Sequence, residues 1–122
     1  PTVLITGDLS FFYDSNGLWN NYIPQNFKII LINNSGGGIF RILPGDKDEP
    51  YFSTFFETTH QLDASHLSKM HGFNYQQVDG EHAFAKAYNT FINTNNQPQL
   101  LEIMTPREVN DKILLGYFKY LS

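Results

Sequence analysis

With 122 residues, a net charge of −4 and 16% charged side chains that form no basic cluster, the chain is a poor candidate for nucleic-acid binding, which needs a concentrated Lys/Arg patch. It contains no cysteine, which excludes a disulfide scaffold and thiolate metal sites. No apolar run approaches the roughly 18 residues of a membrane span and no signal peptide is visible, so a single soluble, cytoplasmic domain over residues 1–122 is expected.

The chain opens on Pro1, directly at a strand and without an initiator Met, and reads as a piece of a longer polypeptide. Thr2-Val3-Leu4-Ile5-Thr6 has the apolar run of a buried parallel strand, followed at once by Gly7-Asp8-Leu9-Ser10. Phe11, Phe12, Ser15, Leu18, Trp19, Tyr22 and Ile23 then fall at helical spacing, which predicts an amphipathic helix over 11–23. Asp14 and Asn16 lie off its apolar face near the start, as polar residues favoured by the helix dipole or as ligand contacts. Pro24-Gln25-Asn26 breaks the pattern before a second buried strand, Lys28-Ile29-Ile30-Leu31-Ile32. This βαβ unit sends two polar segments out of the carboxyl ends of its strands, where open α/β sheets bind ligands.

Those segments carry a distinctive donor set. Asp8 offers an anionic oxygen, Asn34 an amide oxygen, and the bare backbone at Gly36 to Gly38 a carbonyl. Mg2+ takes about six oxygens, commonly one or two carboxylates plus phosphates and water. The helix start near Ser10 and Phe11 would present amide groups suited to a phosphate. A Mg2+–diphosphate site is the expectation.

Beyond Asn33-Asn34-Ser35-Gly36-Gly37-Gly38 comes Ile39-Phe40-Arg41-Ile42-Leu43-Pro44-Gly45, which could be ordinary core or a wall beside the charged site. Arg41 reads as a solvated or ion-paired residue rather than a substrate clamp. Residues 46–60 lack periodicity but hold Tyr51, Phe52, Phe55 and Phe56, which suggests a lid or an interface element. The high aromatic content also implies faces that other domains or subunits would bury.

Asp63 is placed to cap a short helix whose Ala64, Leu67 and Met70 face the core, ending near Gly72. His60, His66, His71 and His82 are scattered without metal-ligand spacing, as surface or capping residues would be. Residues 73–78 alternate as a strand, and 81–92 place Phe84, Ala87, Tyr88 and Phe91 on one helical face. Residues 99–104 give a further strand. Thr105-Pro106-Arg107-Glu108 reads as a capping box opening a last helix that buries Val109, Ile113, Tyr117 and Tyr120 or Leu121. The expected fold class is therefore α/β: a mainly parallel sheet with helices on both faces and right-handed crossovers.

Gly7-Asp8, followed by Asn33-Asn34 with Asp8 and Asn34 26 positions apart, resembles the fingerprint of thiamine-diphosphate enzymes. Gly-Asp-Leu-Ser with Tyr13-Asp14-Ser15-Asn16, Asn33 through Phe40 continuing to Leu43-Pro44, and Phe55 through Asp63 are similar to the 2-succinyl-5-enolpyruvyl-6-hydroxy-3-cyclohexene-1-carboxylate synthase family of menaquinone biosynthesis. The resemblance covers most of the chain and fades in the terminal helix. It implies a thiamine-diphosphate-binding fold truncated on its N-terminal side, the C-terminal part of a pyrophosphate-binding domain.

By that resemblance, Asp8, the Asn34 side chain and the Gly36 carbonyl hold Mg2+ or Mn2+. Backbone at Gly7, Leu9, Ser10 and Gly37 cradles the diphosphate of thiamine diphosphate, and Ile39, Phe40 and Leu43 face the thiazolium and substrate. Ser35 stands where many relatives have a third Asn. The implied reaction decarboxylates 2-oxoglutarate and adds the succinyl semialdehyde carbanion equivalent to isochorismate. No catalytic residue falls in this chain. The activating glutamate is implied on a pyrimidine-binding domain from a second subunit of a homodimer or homotetramer, and the chain alone is expected to be inactive. Acetohydroxyacid synthases and 2-oxoacid decarboxylases share the metal motif, and a flavodoxin-like binding module without thiamine is a rival of another class.

Overall fold

The computed structural model describes residues 2–45 and 47–122; Pro1 and Asp46, where the expected lid begins, lie outside the described residues. Four strands, β1 (Thr2–Gly7), β2 (Phe27–Asn33), β3 (Asn74–Asp79) and β4 (Gln99–Met104), form a sheet in the order β1-β2-β4-β3. Every pairing is parallel, with Leu4 opposite Ile29, Ile29 opposite Leu100 and Tyr75 opposite Leu100. The helices are α1 (Asp8–Tyr13), α2 (Ile39–Ile42), α3 (Ser65–Met70), α4 (Glu81–Asn93) and α5 (Asn110–Leu121), with a 3-10 turn at Ser15–Leu18 and a π-helical turn at Phe52–Phe56. The chain forms two compact units. The first holds the sheet with α1, α3 and α4, from residues up to Asn33 and Asp63–Met104; the second, Asn34–Leu62 and Thr105–Ser122, holds α2 and α5.

In the first unit the strands alternate between two helical layers, as an α/β sheet requires. Ile29, Leu31 and Leu100 point to one face and pack with Phe11 of α1, Ala64 and Phe73. Leu101 and Val78 point to the other, against Ala87 and Phe91 of α4. Lys28 shares the α4 face and is fully buried. Its Nζ donates to the carbonyls of Phe91, at 2.9 Å, and Thr94, satisfying two of the acceptors that the end of α4 leaves over. The ammonium also lies 5.6 Å from the Phe91 ring centroid. Burial lowers the Lys28 pKa.

Three expectations need correction here. β1 is an exposed edge strand rather than a buried one, with Val3, Leu4 and Ile5 at 40%, 44% and 67% exposure, because only β2 pairs with it. The helix expected over 11–23 runs only from Asp8 to Tyr13. Asn20 competes with it: its Nδ2 donates to the Gly17 carbonyl at 3.0 Å and its Oδ1 accepts from Tyr22 N at 2.9 Å. Trp19 and Tyr22 consequently leave the core, at 84% and 89% exposure. Met70, expected inward, is 69% exposed, whereas Ala64 and Leu67 do meet the core.

Asp63 sits one residue before the N-cap of α3, and its Oδ1 accepts from Ser65 N at 2.8 Å and from the Ser65 hydroxyl. These bonds favour the carboxylate and lower its pKa. The folded-state value lies below the unfolded one, so the contribution is full above the unfolded pKa, about 3.9, and is lost as pH falls through the folded value. Thermal melts of the wild type and Asp63→Ala should therefore differ near pH 6 and converge as the pH falls through the folded-state value. A gap that widens on acidification would contradict this.

In the second unit the capping box does not form, and α5 starts at Asn110 with Val109 as N-cap. Both halves of the box are engaged elsewhere: the Thr105 hydroxyl accepts from Asn110 Nδ2 at 3.1 Å, and Glu108 pairs with Arg107 at 2.9 Å. α5 buries none of its residues; Ile113, Tyr117, Tyr120 and Leu121 are 66%, 56%, 85% and 62% exposed, and Val109 before it 41%.

Candidate metal and diphosphate site

Gly7 ends β1 and Asp8 opens α1, so the chain turns from strand to helix at the expected ligand. Asp8 is 3% exposed, and its Oδ1 accepts from Leu9 N at 2.9 Å. That amide, expected on the diphosphate, is thus committed to the Asp8 carboxylate here. Ser10 is exposed inside the helix, which starts earlier than its sequence pattern implied.

Of the Asn33-Asn34 pair, the first belongs to the sheet. Asn33 is fully buried and its Nδ2 donates to Glu102 Oε1 at 2.7 Å. Glu102, also fully buried, accepts in addition from Ala64 N at 3.1 Å and the Tyr75 hydroxyl at 2.5 Å. Burial, reinforced by that bond, pushes the Tyr75 phenol above its usual value. Three donors compensate the desolvated charge of Glu102.

Asn34 begins the second unit. Its Nδ2 lies 2.6 Å from where a Cβ on Gly38 would stand, so Gly38 makes room for the amide. Ser35 has φ 62°, a left-handed backbone conformation uncommon for a non-glycine residue. Gly36 is buried with φ +154°, and its carbonyl accepts from Gly38 N at 3.0 Å. Gly37 N donates to the Glu57 carbonyl at 2.6 Å.

Ile39 and Phe40 lie on α2 and Leu43 just past it; Ile39 and Leu43 are 56% and 48% exposed, and Phe40 is half-buried. Phe40, Leu43, Pro44, Lys47, Tyr51 and Phe56 line a cavity of about 350 Å³. Phe56 meets Phe40 edge-on at 6.2 Å and stacks on Phe52 at 6.2 Å. The aromatic segment thus packs against Phe40.

Arg41 is ion-paired. Its Nε and Nη2 meet Glu57 Oε1 and Oε2 at 2.5 and 2.8 Å, and the bond to Glu57 raises its pKa against the opposing effect of burial. Glu57 is fully buried and lies 3.5 Å from Arg107 as well. Neither Glu57 nor Glu102 was singled out from the sequence. The available signal was a carboxylate within an apolar or aromatic run, which demands a partner.

Asp8 lies in the first unit and Asn34 and Gly36 in the second; a carboxylate, an amide and a backbone carbonyl are donor types that suit a hard divalent cation. Among the described residues no group of three or more His, Asp or Glu side chains could hold a metal ion, and no helix is long and apolar enough to cross a membrane.

No protein-family model matches the chain. It is 53% identical over 122 residues to the 2-succinyl-5-enolpyruvyl-6-hydroxy-3-cyclohexene-1-carboxylate synthase of Christiangramia forsetii, covering the whole chain and 21% of that protein. The proteins of that name from Flavobacterium psychrophilum and Flavobacterium johnsoniae are 57% identical over 121 residues and 55% over 122, with 22% of each covered. The chain belongs to this synthase family. It spans about a fifth of the length of the curated relatives it matches. The match to the synthase family runs through the terminal helix, where the sequence motifs alone had faded.

Proposed function

We propose that the protein carrying this chain is a thiamine-diphosphate- and Mg2+-dependent (or Mn2+-dependent) synthase that decarboxylates 2-oxoglutarate and transfers the remaining four-carbon unit to isochorismate, in the cytoplasm. Identity above 50% to three synthases over essentially every residue carries this reading. The chain would be part of the pyrophosphate-binding domain, completed by a pyrimidine-binding domain from a second subunit of a homo-oligomer.

Asp8, the Asn34 amide and the Gly36 carbonyl would hold the ion, and backbone at Gly7 and Ser10 would meet the diphosphate, the amides of Leu9 and Gly37 being engaged by the Asp8 carboxylate and the Glu57 carbonyl. When bound, thiamine diphosphate supplies the electron sink for decarboxylation. Ile39, Phe40 and Leu43 would orient the reacting groups and exclude water from them. The chain's own task is positioning and electrostatics, so 122 residues alone should give no turnover.

Donor competition tests the reading. Supplied with isochorismate, the full-length protein should release CO₂ from 2-oxoglutarate and yield the adduct mass expected for it. Pyruvate lacks the distal carboxylate and should be disfavoured by about 10⁴-fold, the penalty for leaving a built hydrogen-bonding site unfilled. Acetolactate as the main product would instead identify an acetohydroxyacid synthase.

A further inference from the structure

We propose that Glu57 is a positioning residue for the metal loop, fixing the backbone of Gly36 and Gly37 through its own carbonyl while its side chain is locked by Arg41 and Arg107. This rests on the reading that Asn34 and Gly36 hold the cation. One residue pins the loop twice. Its carbonyl receives Gly37 N at 2.6 Å and stands 2.9 Å from where a Cβ on Gly36 would be. Its carboxylate accepts from Nε and Nη2 of Arg41, on α2 just after the loop, at 2.5 and 2.8 Å.

The neighbouring residues run beside the same loop. His60 N donates to the Ser35 carbonyl at 3.3 Å, so residues 57–60 hold 35–37 at both ends. Between them Thr58 has φ 50°, a conformation that β-branched residues rarely adopt and that persists only where the surroundings over-determine it. A buried ion pair is weak evidence for added stability, and its best-attested use is fixing a register. The register fixed here is that of the glycine backbone. Arg107, at 3.5 Å from Glu57 Oε2 and 2.9 Å from Glu108, adds a second cation to the same carboxylate.

The test uses the full-length protein and variants Glu57→Gln, Arg41→Lys, Asp8→Ala and Lys28→Met. Glu57→Gln keeps size and loses charge; Arg41→Lys keeps charge and loses the two-pronged grip. Lys28→Met perturbs the sheet and serves as a control for general destabilisation. Amide exchange at Gly37 is measured on metal-free protein, and Mn2+ affinity by the free-ion electron paramagnetic resonance signal with thiamine diphosphate present. Glu57→Gln should speed Gly37 exchange and weaken Mn2+ binding about 10- to 100-fold, the usual cost of removing an outer partner of a metal site. Arg41→Lys should fall between it and wild type, and Lys28→Met should leave Mn2+ affinity unchanged. Unchanged Mn2+ affinity in Glu57→Gln, with Asp8→Ala having lost it, overturns the role of Glu57 and leaves the metal reading standing. If Asp8→Ala keeps Mn2+, the metal reading falls; Gly37 exchange then decides the grip on the loop, and an unchanged rate overturns that as well.

Discussion

Replacing Asp8 with alanine should remove divalent-ion-dependent binding of thiamine diphosphate by the full-length protein. Asp8 supplies the only carboxylate in the proposed donor set, and a charged ligand contributes more Coulombic energy than a neutral one. The loss should exceed the ~10- to 100-fold that follows removal of an outer partner. Asn34→Ala should weaken binding less, because it deletes a neutral amide. Calorimetric titration of thiamine diphosphate into each variant with saturating Mg2+ gives the comparison, and tight binding retained by Asp8→Ala would refute the assignment.

Gly36→Ala should be the most damaging single-methyl change in the second unit. The new Cβ would stand 2.9 Å from the Glu57 carbonyl oxygen, a backbone atom that cannot swing aside, and 3.2 Å from Glu57 Cγ. The φ of +154° is itself unfavourable for any side chain, so strain and overpacking together should cost about 2–5 kcal/mol. Gly7, with nothing within 4 Å of a Cβ position and φ −87°, should accept alanine far more readily. Thermal melts, with amide exchange across 34–42, separate the two substitutions. Equal melting temperatures would mean that the loop yields around Gly36.

The sheet was legible in the sequence because its strands are apolar runs bounded by turn residues. β4 falls where expected at 99–104, and β2 extends the expected 28–32 by one residue at each end. Helix α4 was equally clear, since Ala87 and Phe91 repeat at helical spacing and both reach the core. The segment after Asp8 was misread because apolar spacing over 11–23 ignored Asn16, Gly17 and Asn20, whose side chains or flexibility favour turns. The opening of α5 was misread because a Thr-x-x-Glu pattern cannot reveal that Asn110 and Arg107 will claim its two ends. At the candidate site the donor types and their placement after strand ends could be read directly. The grip of Glu57 on Gly37 could not, because it depends on a partner twenty residues away brought back by a loop with no periodicity.

The strand order has a consequence for synthesis. Of the four strands described, β4 is the last to leave the ribosome, yet it lies between β2 and β3. β1 and β2 can pair once Asn33 has emerged, but β3 has no hydrogen-bonded neighbour until Gln99–Met104 arrives. Glu102 then gathers Asn33, Ala64 and Tyr75 together, coupling segments made at widely separated times. Until that insertion the nascent chain carries open strand edges at the apolar β2 and at β3, the surfaces that invite pairing with other chains. A nascent chain arrested before Gln99 has emerged would therefore be an aggregation-prone intermediate, and one arrested after Met104 has emerged would be able to close its sheet.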